Sequence, residues 1–176
     1  MSASQHEHIG AWPSANKKMA STSHSSKPAS TRAQLRSTES ELSREIREKG
    51  PKGYAGYTSW RVSWSWPGYG SLFCDVSGAN VDAAVTVTFP SWKPPADASP
   101  ELVEKWARFV AALAVHEQGH VDNVYASLPR IREAIQSADC LSAEDAAQQI
   151  IAEMNQYDLD YDAETGYGRT QGAVFP

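Results

Sequence analysis

The chain has 176 residues, of which 41% are hydrophobic and 21% charged, a length and composition typical of one globular domain. Its formal net charge is −5, from 16 Lys and Arg against 21 Asp and Glu, which argues against a surface for nucleic acid or anionic membranes. No apolar stretch approaches the roughly 20 residues that a bilayer span requires, so we predict no membrane insertion.

The first 32 residues predict a disordered tail. They are rich in Ser, Ala and Lys, show no hydrophobic periodicity and lack the apolar core of a signal peptide. Their three histidines, His6, His8 and His24, are expected to be solvated rather than to bind metal. Residues 33–176 are predicted to form the folded domain.

One helix and two strands are predicted between residues 38 and 89. The helix runs from about Thr38 to Lys49 and is stopped by a Gly-Pro pair. Residues 60–66, which include three tryptophans, and residues 81–89 then alternate apolar and polar side chains, as half-buried strands do. We predict a small antiparallel sheet with one buried face, and the tryptophans are expected to lie in the core.

Two longer helices follow the sheet. Serine, proline and glutamate at 99–101 form a helix start, and this helix is predicted to reach about Ser127, where Pro129 ends it or begins the next. A second start at Ser142 opens a helix that is predicted to end near Asp160, before an irregular glycine-rich end. The predicted fold class is α+β, a small antiparallel sheet packed against helices.

Two cysteines, Cys74 and Cys140, are present, and they form no CxxC motif. They are either two buried free thiols or one disulfide that closes a long loop. A disulfide would imply an oxidising compartment. The N-terminal sequence, however, has no signal peptide that would direct the protein to such a compartment. Either a leader has been removed from it, or the protein stays in the cytosol.

The segment His116-Glu117-Gln118-Gly119-His120, inside the first long helix, is an HExxH motif. Histidines four residues apart lie on one helical face, about 5–6 Å apart at Cβ, so both can bind one Zn²⁺, with Glu117 as general base toward its water. Gly119 favours this interpretation, because a mid-helix glycine costs roughly 1 kcal/mol and usually permits a close approach. The alternative is a pair of buried, hydrogen-bonded histidines without metal. The two histidines continue an apolar, core-facing stripe formed by Leu102, Trp106, Phe109 and Leu113.

The motif leaves the third ligand of a catalytic zinc open, since such sites commonly have three protein ligands. Six residues after His120, where an extended form of the motif has another histidine, this chain has Ala126, so that subclass is excluded. The C-terminal run 161–168 concentrates acidic and tyrosine side chains beside glycines. We predict that the third ligand comes from this run; the alternative is that the run is a surface loop whose acidic side chains are solvated.

Residues 35–176 resemble a bacterial family of domains of unknown function whose members are predicted secreted zinc-dependent proteases. The resemblance implies a zincin-like fold in which His116 and His120 bind zinc and Glu117 is the catalytic base. It also implies that the two cysteines are paired and that the protein is secreted or periplasmic. The segments that carry it are ELSREIREKGP, YTSWRVSWSW with its cysteine-containing hairpin, EKWARFVAALAVHEQGH and YDAETGYGRTQGAVFP.

The chain departs from the family pattern at one position of the site. The pattern ends Tyr-Asp-x-x-Thr-x-His-Gly, and its histidine is the natural third ligand, but this chain has Tyr167 there. Three interpretations stay open. Tyr167 binds zinc as a phenolate; Asp162 binds zinc and Tyr167 donates a hydrogen bond to the tetrahedral intermediate; or metal binding is weakened and activity is lost.

The sequence therefore predicts a zinc metallopeptidase that hydrolyses peptide bonds in a peptide or protein substrate, with Glu117 as general base. The first alternative is a non-catalytic or weakly active zinc-binding module, because Tyr167 replaces the expected histidine. The second is a zinc hydrolase that acts on a non-peptide amide or ester.

Overall fold

A computed structural model describes residues 3–6, 29–35 and 38–175. Its strands are β1 (Ala3–His6), β2 (Ala29–Leu35), β3 (Tyr57–Ser65) and β4 (Asn80–Trp92). Its α-helices are α1 (Glu39–Lys49), α2 (Pro100–Ser137) and α3 (Ala143–Thr165). The fold class is α+β, as predicted. Among the described helices, none is both long and apolar enough to cross a bilayer.

The centre of the sheet is an antiparallel pair, β3 and β4, in register from Tyr57 opposite Thr88 to Ser65 opposite Asn80. This pair confirms the predicted antiparallel hairpin. β1 pairs in parallel with β3, and β2 in parallel with β4, so the strand order is β1-β3-β4-β2. Sequence patterns missed both outer strands, because the segments ASQH and ASTRAQL show no apolar alternation and pair through their backbones.

β1 and the beginning of β2 fall within the segment that the sequence predicts to be a tail. Residues 7–28 of that segment, with His8 and His24, lie outside the described residues, so the domain division at residue 32 stays a prediction.

The main core lies between the β3–β4 pair and the two long helices. The side chains of β3 alternate as predicted, with Trp60, Val62 and Trp64 buried and Arg61 and Ser65 exposed. Against this face pack the buried apolar residues of α2 and α3, which include Val121, Val124, Ile131, Ile135, Ile151 and Met154. The tryptophan-rich strand is therefore part of the core, and it packs the sheet against α3 and against α2, which carries the HExxH motif.

Both long helices extend further than the sequence predicts. α2 passes through Pro129 without a break, so the predicted end near Ser127 is wrong. A proline inside a helix costs about 3 kcal/mol or more, and burial of α2 on both sides of it, at Val124 and Ile131, outweighs that cost. α3 continues past the predicted end at Asp160 and is stopped by Gly166, which adopts the left-handed conformation.

Cys74 and Cys140 form a disulfide, with their Cα atoms 5.7 Å apart. The bond joins the β3–β4 connection to the segment between α2 and α3. This finding confirms the pairing that the family resemblance implies and answers the question that the residues alone leave open.

Replacing both Cys74 and Cys140 with serine is expected to lower the free energy of unfolding by up to about 4 kcal/mol, since the loss of the cross-link frees a long loop in the unfolded chain. The cysteines are 66 residues apart, which puts the entropic effect at the upper end of the usual range. Urea denaturation measures the change. Wild-type protein under reducing conditions should match the double variant, and an unchanged midpoint would contradict the prediction.

Candidate metal centre

Helices α2 and α3 bring three predicted metal ligands together. His116 and His120 on α2 are fully buried, and Asp162 on α3 is 6% exposed. Nε2 of His116 lies 3.2 Å from Oδ1 of Asp162, and Nε2 of His120 also lies 3.2 Å from that oxygen. The candidate ligand atoms of the three residues all lie within 4.8 Å of one another. Asp162 is therefore the side chain that completes a cluster with both histidines.

The donor set of this cluster fits a zinc ion. Nε2 of His120 is buried and has no aligned hydrogen-bond partner among the described residues, although buried polar atoms are nearly always satisfied. Its nearest acceptor is Oδ1 of Asp162 at 3.2 Å, and a cation between the three side chains would give this nitrogen an aligned partner. Two imidazoles and one carboxylate are a ligand set of catalytic zinc, with a fourth position left for water or substrate.

The remaining ring nitrogens of the two histidines are held by separate partners. Nδ1 of His120 lies 2.8 Å from Oδ1 of Asp158, whose other oxygen accepts a hydrogen bond from Nε1 of Trp60 at 3.2 Å. Nδ1 of His116 lies 2.9 Å from Oε1 of Gln171. Metal-binding histidines almost always donate their second N–H in this way, so these contacts orient both Nε2 atoms toward the cluster.

Burial and the neighbouring charges shift the pKa values in the cluster. Burial alone would lower the pKa of His120, but the carboxylates of Asp158 and Asp162 raise it to about 9. Burial alone would raise the pKa of Asp162, but the two histidines lower it below its usual value. Without metal at neutral pH, His120 is therefore protonated and Asp162 ionised.

The apparent zinc affinity is expected to rise about tenfold per pH unit between about pH 6 and pH 8 and to level off near pH 9, because zinc must displace the proton of His120. Asp162 adds nothing to this slope, since its lowered pKa leaves it ionised throughout. Calorimetry in two buffers of different ionisation enthalpy should show that zinc binding at pH 7 releases protons, the proton of His120 among them. Replacing Asp158 with asparagine is the control: the plateau should begin at lower pH. Binding without proton release would contradict the prediction.

Glu117 lies on the same buried face of α2 and is held by β3. Oγ1 of Thr58 donates a hydrogen bond to Oε2 of Glu117 at 2.6 Å. Just before β3, a Cβ at Gly56 would lie 2.5 Å from Oε1 of Glu117. A side chain at position 56 would therefore have to displace the carboxylate of Glu117 from this position.

Tyr161 belongs to the run 161–168 in which the sequence predicts a third ligand, but its packing against both imidazoles was not predicted. Its ring stacks on His116, with centroids 5.1 Å apart and planes 7° apart, and meets the ring of His120 edge-on at 5.1 Å. Its hydroxyl donates to the carbonyl oxygen of His116 at 3.2 Å and accepts from Nε2 of Gln171 at 2.9 Å. A Cβ at Gly119 would lie 2.3 Å from that hydroxyl, so the close approach that Gly119 permits is that of Tyr161.

The hydrophobic periodicity of α3 could have indicated that Asp158 and Asp162 both face the core. The buried positions of α3 recur at helical spacing through Ile151, Met154, Asp158, Asp162 and Thr165. Ending the helix near Asp160 hid the continuation of this stripe. The alternative of a solvated loop is wrong for this segment, because residues 161–165 form the last turns of α3 and Asp162 is buried.

Tyr167 lies just beyond the end of α3, with φ of 57°. Its side chain is 41% exposed, and its ring centroid is 6.3 Å from that of Tyr54. The next residue, Gly168, lies directly against the ring of His116: a Cβ there would be 3.0 Å from Cγ of that histidine. A ligand or hydrogen-bonding role for Tyr167 stays a prediction, whereas Asp162 is placed beside both imidazoles.

One protein-family model matches residues 31–168, and its description is "Bacterial protein of unknown function (DUF922)". The match includes the whole HExxH motif and Asp162. Comparison with curated proteins gives no match, and comparison with solved structures gives none. Since the matched region covers well over half of the sequence, the chain belongs to the DUF922 family.

Proposed function

We propose that this protein is a zinc-dependent metallopeptidase. The observation that carries the proposal is the convergence of His116, His120 and Asp162, from two helices, beside the buried carboxylate of Glu117. These three residues would hold the ion. The extended HExxH motif is not needed for this ligand set, because an aspartate from α3 takes the place of a third histidine.

The residues around the cluster have distinct roles in the proposed reaction. Zinc, when bound, acts as a Lewis acid that polarises the scissile carbonyl and lowers the pKa of water to about 7. Glu117 accepts a proton from the attacking water and passes it to the leaving amine as the C–N bond breaks. Thr58 orients the carboxylate of Glu117 through its 2.6 Å hydrogen bond. Asp158 and Gln171 hold the two imidazole rings.

We also propose that the protein functions in the periplasm or outside the cell. The Cys74–Cys140 disulfide supports this location, because such bonds persist in oxidising compartments and are rare in the cytosol.

Burial favours a second candidate, a non-catalytic zinc-binding module. His116, Glu117 and His120 have no exposed surface. In this candidate, zinc would link α2 to α3 and stabilise the fold without meeting a substrate.

Metal removal and reconstitution separate the two candidates. The full-length protein is stripped with a chelator, reloaded with zinc and examined for metal content and for cleavage of a peptide library by mass spectrometry. We expect one zinc ion per chain and cleavage in the reloaded sample alone. Replacing His120 with alanine should abolish both, whereas His24→Ala, in the predicted tail, should change neither. Zinc without cleavage would favour the module, and a failure to bind zinc would contradict both candidates.

A further inference from the structure

The N-terminal strand β1 pairs with the segment of β3 whose side chains contact the candidate metal centre. β1 runs parallel to β3, with Ser4 opposite Thr58 and His6 opposite Trp60. β1 also contacts α3. These four residues therefore touch both an element that positions Glu117 and the helix that supplies Asp162.

The part of β3 that pairs with β1 is also the part that contacts the site. Thr58 donates to Glu117, and two residues later Trp60 donates to Asp158, the partner of His120. Side chains two residues apart point to the same face of a strand, so both reach the site from one face of β3. An extended backbone that pairs with this edge therefore lies next to the strand segment that holds Glu117 and Asp158.

β1 lies outside the region that the family shares. The match begins at residue 31, whereas β1 spans Ala3–His6. The family domain can therefore be defined without this strand. Its sequence is ASQH, and it pairs with β3 as a parallel strand, a pairing made through the backbone.

We infer that the outer edge of β3 binds an extended peptide by strand addition, and that residues 3–6 occupy this edge as an intramolecular competitor. The inference rests on the proposed function in one respect: the peptide that displaces β1 would be the substrate of the metallopeptidase. Strand addition recognises the main chain, which makes an extended, unfolded segment of protein the favoured substrate class.

The test uses the full-length chain with Ser4 and Gln5 both replaced by proline. Proline has no N–H, and neighbouring residues of a strand direct their N–H groups to opposite sides, so the pair removes the donor that faces β3. The matched control replaces the same two residues with alanine, which keeps the backbone donors. Both proteins are compared with wild type after equal zinc loading and a check of their circular dichroism.

Two readouts do not depend on catalysis. Amide hydrogen exchange in residues 57–60 should be about tenfold or more faster in the proline variant for those amides that face β1, and unchanged in the alanine variant. A fluorescent synthetic peptide of residues 1–10 should bind to the proline variant and not to wild type. Equal exchange in all three proteins, or equal peptide binding, would overturn the inference.

The third readout is cleavage of an unstructured peptide. If wild type cleaves, the proline variant should show kcat/KM about tenfold higher, because β1 no longer reduces the fraction of competent sites. An unchanged kcat/KM in an active enzyme would overturn the competitor role. If none of the proteins cleaves but exchange and peptide binding differ as expected, the strand-addition site stands and the metallopeptidase proposal falls.

Discussion

Replacing Glu117 with glutamine is expected to lower kcat for peptide hydrolysis by about 10²–10⁴-fold, the usual contribution of a general base, while one zinc ion stays bound. The substitution keeps the size of the side chain and its ability to accept the hydrogen bond from Thr58, but it removes the proton acceptor. Zinc binding should survive, since the ligand cluster consists of other residues. The measurement is single-turnover cleavage of a peptide together with metal content.

Two further variants sharpen the Glu117 result. Thr58→Val removes the hydrogen bond that orients the carboxylate, so kcat should fall by less than in the glutamine variant. Glu164→Gln changes an exposed glutamate near the end of α3 and should leave kcat unchanged. A Glu117→Gln protein that cleaves as fast as wild type with zinc bound would exclude Glu117 as the base.

Replacing Asp162 with asparagine is expected to weaken zinc binding more than about 100-fold, beyond the 10–100-fold loss typical of residues that only orient a ligand. Asparagine has nearly the same shape, so the change tests the anionic oxygen that lies 3.2 Å from Nε2 of each histidine. Competition with a chromogenic chelator measures the affinity. Asp160→Asn, at an exposed position on the same helix, is the control and should bind zinc like wild type.

The same zinc-affinity assay, applied to a Tyr167 variant, tests the alternative in which Tyr167 is the third ligand. Tyr167→Phe removes the phenolic oxygen and keeps the ring that lies near Tyr54. If Asp162 is the third ligand, this variant should retain the wild-type zinc affinity. A large loss in Tyr167→Phe with little loss in Asp162→Asn would assign the third ligand to Tyr167 and refute the aspartate.

Local sequence patterns predicted most of the secondary structure of the folded region. β3 alternates apolar and polar residues, and α2 opens with a strong cap at Ser99, so both elements could be recognised within short windows. The C-terminal ends of the two long helices could not be predicted from such short windows. Whether α2 continues through Pro129 depends on how much surface it buries against the sheet and α3, and that burial is set by residues distant in sequence.

The residues of the candidate site likewise fall into those that the sequence could predict and those that only packing brings together. The i, i+4 spacing of His116 and His120 is a property of one helix, so the sequence alone could place both imidazoles on one face. The choice of Asp162 over other acidic residues depends on where α3 crosses α2. The packing of Tyr161 against the histidines could not be predicted for the same reason, although Gly119 indicated that some group approaches the helix there.

By itself, the sequence determined the two histidines, the glutamate between them and the stripe that buries them, because helical periodicity needs only neighbouring residues. Only the tertiary structure decided that Asp162 meets both imidazoles, that Asp158 holds His120 and that β1 lies along β3. Each of these contacts joins residues that are at least 38 positions apart, as Asp158 is from His120. Packing of the whole chain sets such distances, and no local pattern encodes them.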